Sequence, residues 1–214
     1  MSALKRSALA LLAALLLGAC RTDEPPPTAT PTTRPSPTPV AGSPQPETLT
    51  LAPDGIGVAR FGEDPDVVVA AVTQRLGEPT SDSGWGASSG AFGTCPGTEL
   101  RVVRWKSLFV YLGNGETSYA AAGTRHLFSY MDSRYDERGR ETEPTGLKTD
   151  SGVGVGSTVS ALRGAHPEAE VQDDPTFGPR WRVETPSGAL FGNVTGTADT
   201  DTISSVHGGE ECGE

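Results

Sequence analysis

Between Arg21 and Glu47 the chain reads RTDEPPPTATPTTRPSPTPVAGSPQPE, and this stretch holds half of its 18 prolines. Proline fixes φ and removes a backbone donor, and the interleaved Thr and Ser supply no apolar periodicity. Such a segment has nothing to bury, so it is expected to stay extended and polyproline-like. At about 3.1 Å per residue it would reach roughly 80 Å when stretched, the proportions of a stalk. Its Thr/Pro composition also permits O-glycosylation. The chain is thereby divided into a short leader and a foldable stretch from Leu49 onward. That stretch is roughly 165 residues long, enough for one medium domain or two intimately packed halves.

The leader reads MSALKRSALALLAALLLGAC. Lys5 and Arg6 form a positive n-region, and residues 8–17 are an unbroken Ala/Leu run. A bilayer span needs roughly 20 apolar residues, so the run fits a secretory h-region instead. Leu17-Gly18-Ala19-Cys20 resembles the lipobox of bacterial lipoproteins. The resemblance implies that residues 1–19 are a signal peptide and that Cys20 becomes the N-terminus, carrying a diacylglyceryl thioether. It further implies that residues 20–48 hold an exported head at the outer face of the cell membrane. Two acyl chains anchor stably where one is marginal.

Three cysteines less the lipidated one leave Cys95 and Cys212, an even pair in an oxidising compartment. A disulfide between them is expected. The alternatives, two free thiols or a metal pair, lack neighbouring ligands, since His207 is the only close one. Removal of residues 1–19 takes away two bases and no acid, so the formal charge of −10 becomes −12. A chain this acidic, with no basic block, is a poor candidate for nucleic acid. The charge is best read as solubility.

The foldable part repeats one order of elements. Asp64-Pro65 reads as N-cap and N1 of a helix with Val68, Val72 and Leu76 on one face, ended by Gly77 and Pro79. Strands are predicted over 99–105, 108–112 and 125–131, the first two joined by Lys106-Ser107. In the second half, Ser157 is the predicted cap of a short helix carrying Val159 and Leu162, stopped around Gly164 and Pro167. Strands then follow over 180–185, 189–194 and 202–207, with Pro186-Ser187-Gly188 as a turn. The expected fold is α+β: two similar units, each one short helix packed on a three-stranded antiparallel meander, over residues 49–146 and 147–214. Residues 113–124 and 83–97 read as loops, and the polar stretch 132–146 as the joint.

This order resembles the helix-plus-meander repeat of tandem bacterial envelope proteins such as the β-lactamase inhibitor protein, and of small outer-membrane assembly lipoproteins. The matching residues are Gly62, Val72, Leu76-Gly77 and Pro79, then Gly156-Ser157-Thr158 and Val159. The second half departs from the pattern in having no Leu-Gly-x-Pro after its helix. Lipobox, stalk, duplicated unit and terminal Cys together look most like lipoproteins of high-GC Gram-positive bacteria. No catalytic or partner-contact residue carries over.

Several motifs invite chemistry. GVGVGST at 152–158 has the glycine density of a phosphate cradle, but it lacks the P-loop Lys, and the strands after it read as hairpins rather than a parallel βαβ unit. Its glycines are read as a positive-φ turn that starts a helix, and no nucleotide or other cofactor is expected. Gly86-Ala87-Ser88-Ser89-Gly90 is a literal G-x-S-x-G, and Asp173 or Asp174 with His207 would complete the order of an α/β-hydrolase. The flanking SDSGW and AFGTCPG fit neither the strand nor the helix that such an elbow requires. The three histidines are scattered, and TADTDT lacks the Gly and Glu of a calcium loop, so no metal is expected.

What remains is an interaction surface, with Trp85 and Phe92 on a glycine-rich excursion either as candidate contacts for a protein or cell-wall partner or, if the disulfide folds this loop back, as buried rings. The expectation is a non-catalytic, lipid-anchored module of the cell envelope. An envelope serine hydrolase using Ser88 is the alternative, and fold analogy alone adds a periplasmic-type inhibitor.

Overall fold

A computed structural model describes residues 49–90 and 93–213. The leader, Cys20, the stalk and Phe92 lie outside the described residues. The described residues are α+β, with two helices and a nine-stranded sheet whose pairings are all antiparallel.

Helix α1 spans Pro65–Leu76, with Pro at its start and the Asp64 carboxylate accepting from Asp66 N and Val67 N. Gly77 caps its other end, and Trp105 Nε1 donates to the Gly77 carbonyl at 2.9 Å, fixing that end to the sheet. The short strand β1 (Ser81–Asp82) leads into β2 (Gly86–Gly90), β3 (Gly93–Trp105), β4 (Leu108–Gly113) and β5 (His126–Ser133). Helix α2 (Val159–Ala165) is followed by β6 (Glu170–Asp174), β7 (Gly178–Thr185), β8 (Gly188–Asn193) and β9 (Ser205–Gly209).

The strand order is β1-β3-β4-β5-β9-β8-β7-β6, with β2 paired to β3 off that path. Two meanders, β3-β4-β5 and β7-β8-β9, therefore meet in the middle through their last strands, Met131 facing His207. They share one sheet and one core. Alternation along the strands turns Val103, Trp105, Val110, Tyr130, Trp181 and Val206 to the face that also receives Val68, Val72, Val159 and Leu162 from the helices. The four helix residues are fully buried; each such side chain contributes about 1.5–3 kcal/mol on burial.

Both helices are preceded by the same backbone stitch. Gly62 N donates to Leu127 O at 2.8 Å while Leu127 N donates to Glu63 O at 2.9 Å. Gly156 N donates to Ile203 O and Ile203 N to Ser157 O, both at 2.8 Å. Gly62 (φ 90°) and Gly156 (φ 86°) hold the left-handed backbone that these turns require.

Three sequence expectations are corrected. Thr158, not Ser157, caps α2, because the Ser157 hydroxyl already accepts from Gly154 N within the turn. Residues 83–97 are not an open loop: most of them form the β2–β3 hairpin, because β3 runs on past the end of β4 and its free edge takes a partner. Strands β1 and β6 had no expected counterpart, so three-stranded units do not exhaust the sheet.

Candidate functional site

The face of the sheet away from the helices is finished differently. On it, cross-strand register aligns Arg104, Phe109, Met131, His207, Phe191 and Arg182 in one row running through β3, β4, β5, β9, β8 and β7. The row reads nearly the same from either end. The Arg104 guanidinium lies 5.0 Å from the Phe109 ring centre, and that of Arg182 lies 5.5 Å from the Phe191 ring. Near the middle, the Phe191 and His207 rings sit 5.4 Å apart. Beside this row Arg180 covers Phe177 at 5.1 Å, and Phe177 is 49% exposed.

Over the β3–β5 half this face is covered. Phe109, Tyr111, Phe128, Leu100 and Val102 pack with Cys95 and Cys212 in a second, smaller core. The Cys95–Cys212 disulfide forms, and Thr94 and Gly213 exchange backbone hydrogen bonds of 2.7 and 2.8 Å beside it. The C-terminal segment is thus tied to the β2–β3 hairpin. Glu211 borders two hollows, one of about 150 Å³ with Tyr111, Ser129 and His207, the other of about 170 Å³ with Gln172, Arg182 and Phe191. A third, of about 140 Å³, lies at Arg104 and Phe109.

The arginines on this face are paired within the chain. Arg182 Nε meets Glu184 at 2.6 Å, and Arg180 meets Asp174 at 3.7 Å. Asp174 is held below the usual carboxylate range first by the Phe177 and Thr176 N–H groups, then by Arg180. Burial, with Arg180 adding to it, pushes His207 down to about 4, so its imidazole is neutral at neutral pH. Burial likewise holds the Tyr111 hydroxyl above its ordinary value. Neutral rings and carboxylate-paired arginines thus lie beside these hollows.

The residues singled out from sequence fall in several places. Ser88 sits on β2 with its hydroxyl donating to Gly97 O at 2.6 Å, while His207 Nε2 lies 3.0 Å from Ser205 Oγ. Asp173 is exposed on β6, opposite Pro179, and Asp174 serves its own turn. No hydrogen bond joins Ser88, either aspartate and His207. Trp85 is half-buried against the main core with the Arg125 guanidinium 4.2 Å over its ring, itself held by Glu99 at 2.8 Å. In the glycine turn at 152–158, the Gly154 and Gly156 N–H groups are spent on Ser157 Oγ and Ile203 O. Among the described residues, no group of three or more His, Cys, Asp or Glu is placed to hold a metal.

Sequence reasoning missed the Arg–Phe row. Its signal was the alternation in PRWRVET, where Trp181 and Val183 turn inward and Arg180, Arg182 and Glu184 outward. No protein-family model, curated protein or solved structure matches the chain.

Proposed function

We propose that this chain is an extracytoplasmic, lipid-anchored binding module of the cell envelope that engages a protein partner through the outward face of its sheet. The observation that carries the binding reading is the uncovered β7–β8 half of this face, where Arg180 lies over the exposed Phe177 and Arg182 over Phe191. Arginine and aromatic side chains dominate protein-interface hot spots, and hollows beside them receive a partner's anchors. The anchoring reading rests on Leu17-Gly18-Ala19-Cys20 and the Pro/Thr-rich stalk that follows. The stalk would hold the head clear of the membrane.

We also infer that the head arose by duplication of a helix-plus-meander unit. The repeated stitch of Gly62 and Gly156 onto the strands behind them supports this, as does the near-symmetric outward row. Each half alone would leave a sheet edge open at β5 or β9.

Crosslinking in native cells followed by mass spectrometry tests the binding reading. Phe177→Ala with Arg182→Ala should abolish the crosslinks made by wild type, while Asp66→Ala on helix α1 should retain them. Unchanged crosslinks in the double variant would remove the outward face as the site. Cys20→Ala should release the protein into the medium, and continued retention on the membrane would refute the lipid anchor.

A further inference from the structure

A second constellation lies away from the outward face, where a tight turn meets the end of α2. Gly152 N donates to Thr149 O at 2.8 Å and closes the turn. The buried Thr149 accepts from Val153 N at 3.1 Å, and its Oγ1 lies 2.8 Å from Ser151 Oγ. Ser151 Oγ lies 2.7 Å from His166 Nε2, and His166 Nδ1 lies 3.4 Å from Glu168 Oε1. His166 is held at the C-cap of α2 by its own N–H, which donates to Leu162 O at 2.8 Å.

With the His166 ring neutral, one set of proton positions satisfies every contact in this group of side chains. An ionised carboxylate only accepts, so His166 Nδ1 carries the hydrogen toward Glu168. Nε2 is then the acceptor that the Ser151 hydroxyl donates to. Thr149 Oγ1 accepts from Val153, which frees its own proton for the Ser151 oxygen. The result is a hydroxyl aimed at a base that a carboxylate orients, the arrangement that activates a serine. Hydrogen bonds of this kind are often long in the free protein and tighten on substrate.

Ser151 is solvent-exposed, so a carbonyl can reach its oxygen. Thr149 and Asp150, its neighbours in the chain, line a hollow of about 620 Å³ together with Thr50, Asp54, Arg60 and Ser187. Hydroxyls and charges of both signs suit a hydroxyl-rich alcohol better than a long acyl chain. Among the described residues, the Asp150 and Ser151 backbone N–H groups have no acceptor, which leaves them free to donate to an oxyanion.

The geometry points to Ser151 as a His166-activated nucleophile that hydrolyses small acyl esters of hydroxyl-rich alcohols. Ser151 Oγ bonds to the ester carbonyl carbon as its proton passes to His166 Nε2. The carbonyl–oxygen bond then breaks, and the alcohol leaves with that proton. Water adds to the acyl-serine, its proton returns through His166 to Ser151, and the carboxylic acid departs. Glu168 holds the ring in the tautomer this requires and is a positioning residue. The serine is a different one from Ser88, whose proton is committed to a backbone carbonyl.

The intact lipoprotein in detergent should be treated with a fluorophosphonate probe and digested for mass spectrometry. The label is expected on Ser151, absent in Ser151→Ala and unchanged in Ser88→Ala. Its rate should fall about 100-fold or more in His166→Ala, the scale of general-base assistance. Because removing the ring could loosen the turn, His166→Gln keeps a hydrogen-bonding group there and should be equally slow. Glu168→Gln should lower the rate less and alter its pH profile. Acetate release from glucose pentaacetate should follow the same order. Absence of label on Ser151, or wild-type labelling in both His166 variants, would overturn the proposal and leave a hydrogen-bonded staple. Labelling of Ser151 involves neither Phe177 nor Arg182, so this test and the crosslinking test fail independently.

Discussion

Removing the Cys95–Cys212 link tests how much of this fold's stability resides in its unfolded ensemble. The two residues are 117 apart in sequence, so the crosslink closes most of the foldable chain into one loop. Chain-entropy reasoning assigns a loop of this length about 5 kcal/mol at 25 °C. In the folded protein the link joins the β3 overhang to the segment beyond Gly209, where two backbone bonds between Thr94 and Gly213 remain without it. Cys95 is 3% exposed, so deleting its sulfur also loses some packing. Cys95→Ala with Cys212→Ala should therefore cost about 4–6 kcal/mol.

In guanidinium melts, that loss should appear with a steeper slope, because an unlinked chain exposes more surface when it unfolds. By the scaling for domains of this size, the thermal midpoint should fall by roughly 10–20 °C. Oxidised wild type, reduced wild type and the double variant separate the crosslink from the packing. A loss below about 1 kcal/mol with an unchanged slope would refute the reasoning, because a constrained unfolded chain must show both effects.

His207, pushed down to about 4 in the fold from an ordinary 6.5, binds fewer protons folded than unfolded between those values. Stability should fall as pH drops from 6.5 to 4 and level off below; His207→Gln should flatten that part of the curve, and an unchanged slope would exclude His207 as its source. Burial raises the Asp132 carboxyl above its ordinary value despite hydrogen bonds from Ser107 and Thr145. Its contribution is present below pH 3.8 and lost as pH rises through the folded value. Asp132→Asn should thus gain about 1 kcal/mol at pH 7, the scale of one hydrogen-bond exchange, and show no gain at pH 3; a loss at pH 7 would contradict this. At Gly192 an added Cβ would sit 2.0 Å from Ser205 O and 3.0 Å from Trp181 Nε1. Gly192→Ala should cost about 3 kcal/mol or more and change the near-UV spectrum of Trp181, whereas a neutral result would mean the β8–β9 spacing yields easily.

Elements that announce themselves locally were legible. Asp64, Pro65 and Gly77 bracket α1, and Val68 and Val72 mark its buried face, as the structure has them. The β3–β4 and β7–β8 hairpins lie where apolar alternation and turn residues placed them. Strand β2 was not legible because GASSG has no β-branched or aromatic residue; it forms because the overhang of β3 offers an edge and the disulfide holds that overhang down. Strand β6, EVQDD, carries the charge of an exposed edge, which reads as loop. The Arg–Phe row and the Ser151–His166 contact depend on register and turn geometry between segments distant in sequence. Alternation in PRWRVET shows which residues face outward, but not which side chains they meet across the strands.

The two meanders share one inward core but finish their outward faces by opposite means. Over β3–β5 a hairpin, a disulfide and the chain terminus exclude water from Phe109 and Tyr111. Over β7–β8 there is only a layer of guanidinium on aromatic rings, and each guanidinium keeps a carboxylate of its own. A partner that displaced water there would bury arginines already neutralised, and it would meet neither the penalty of an unpaired charge nor a strong field to steer it. Recognition at such a face would rest on ring contact and fit to the hollows beside Phe191 and His207. The net negative charge of the chain would then serve solubility, and the binding face would be one where the arginines are each matched by a carboxylate.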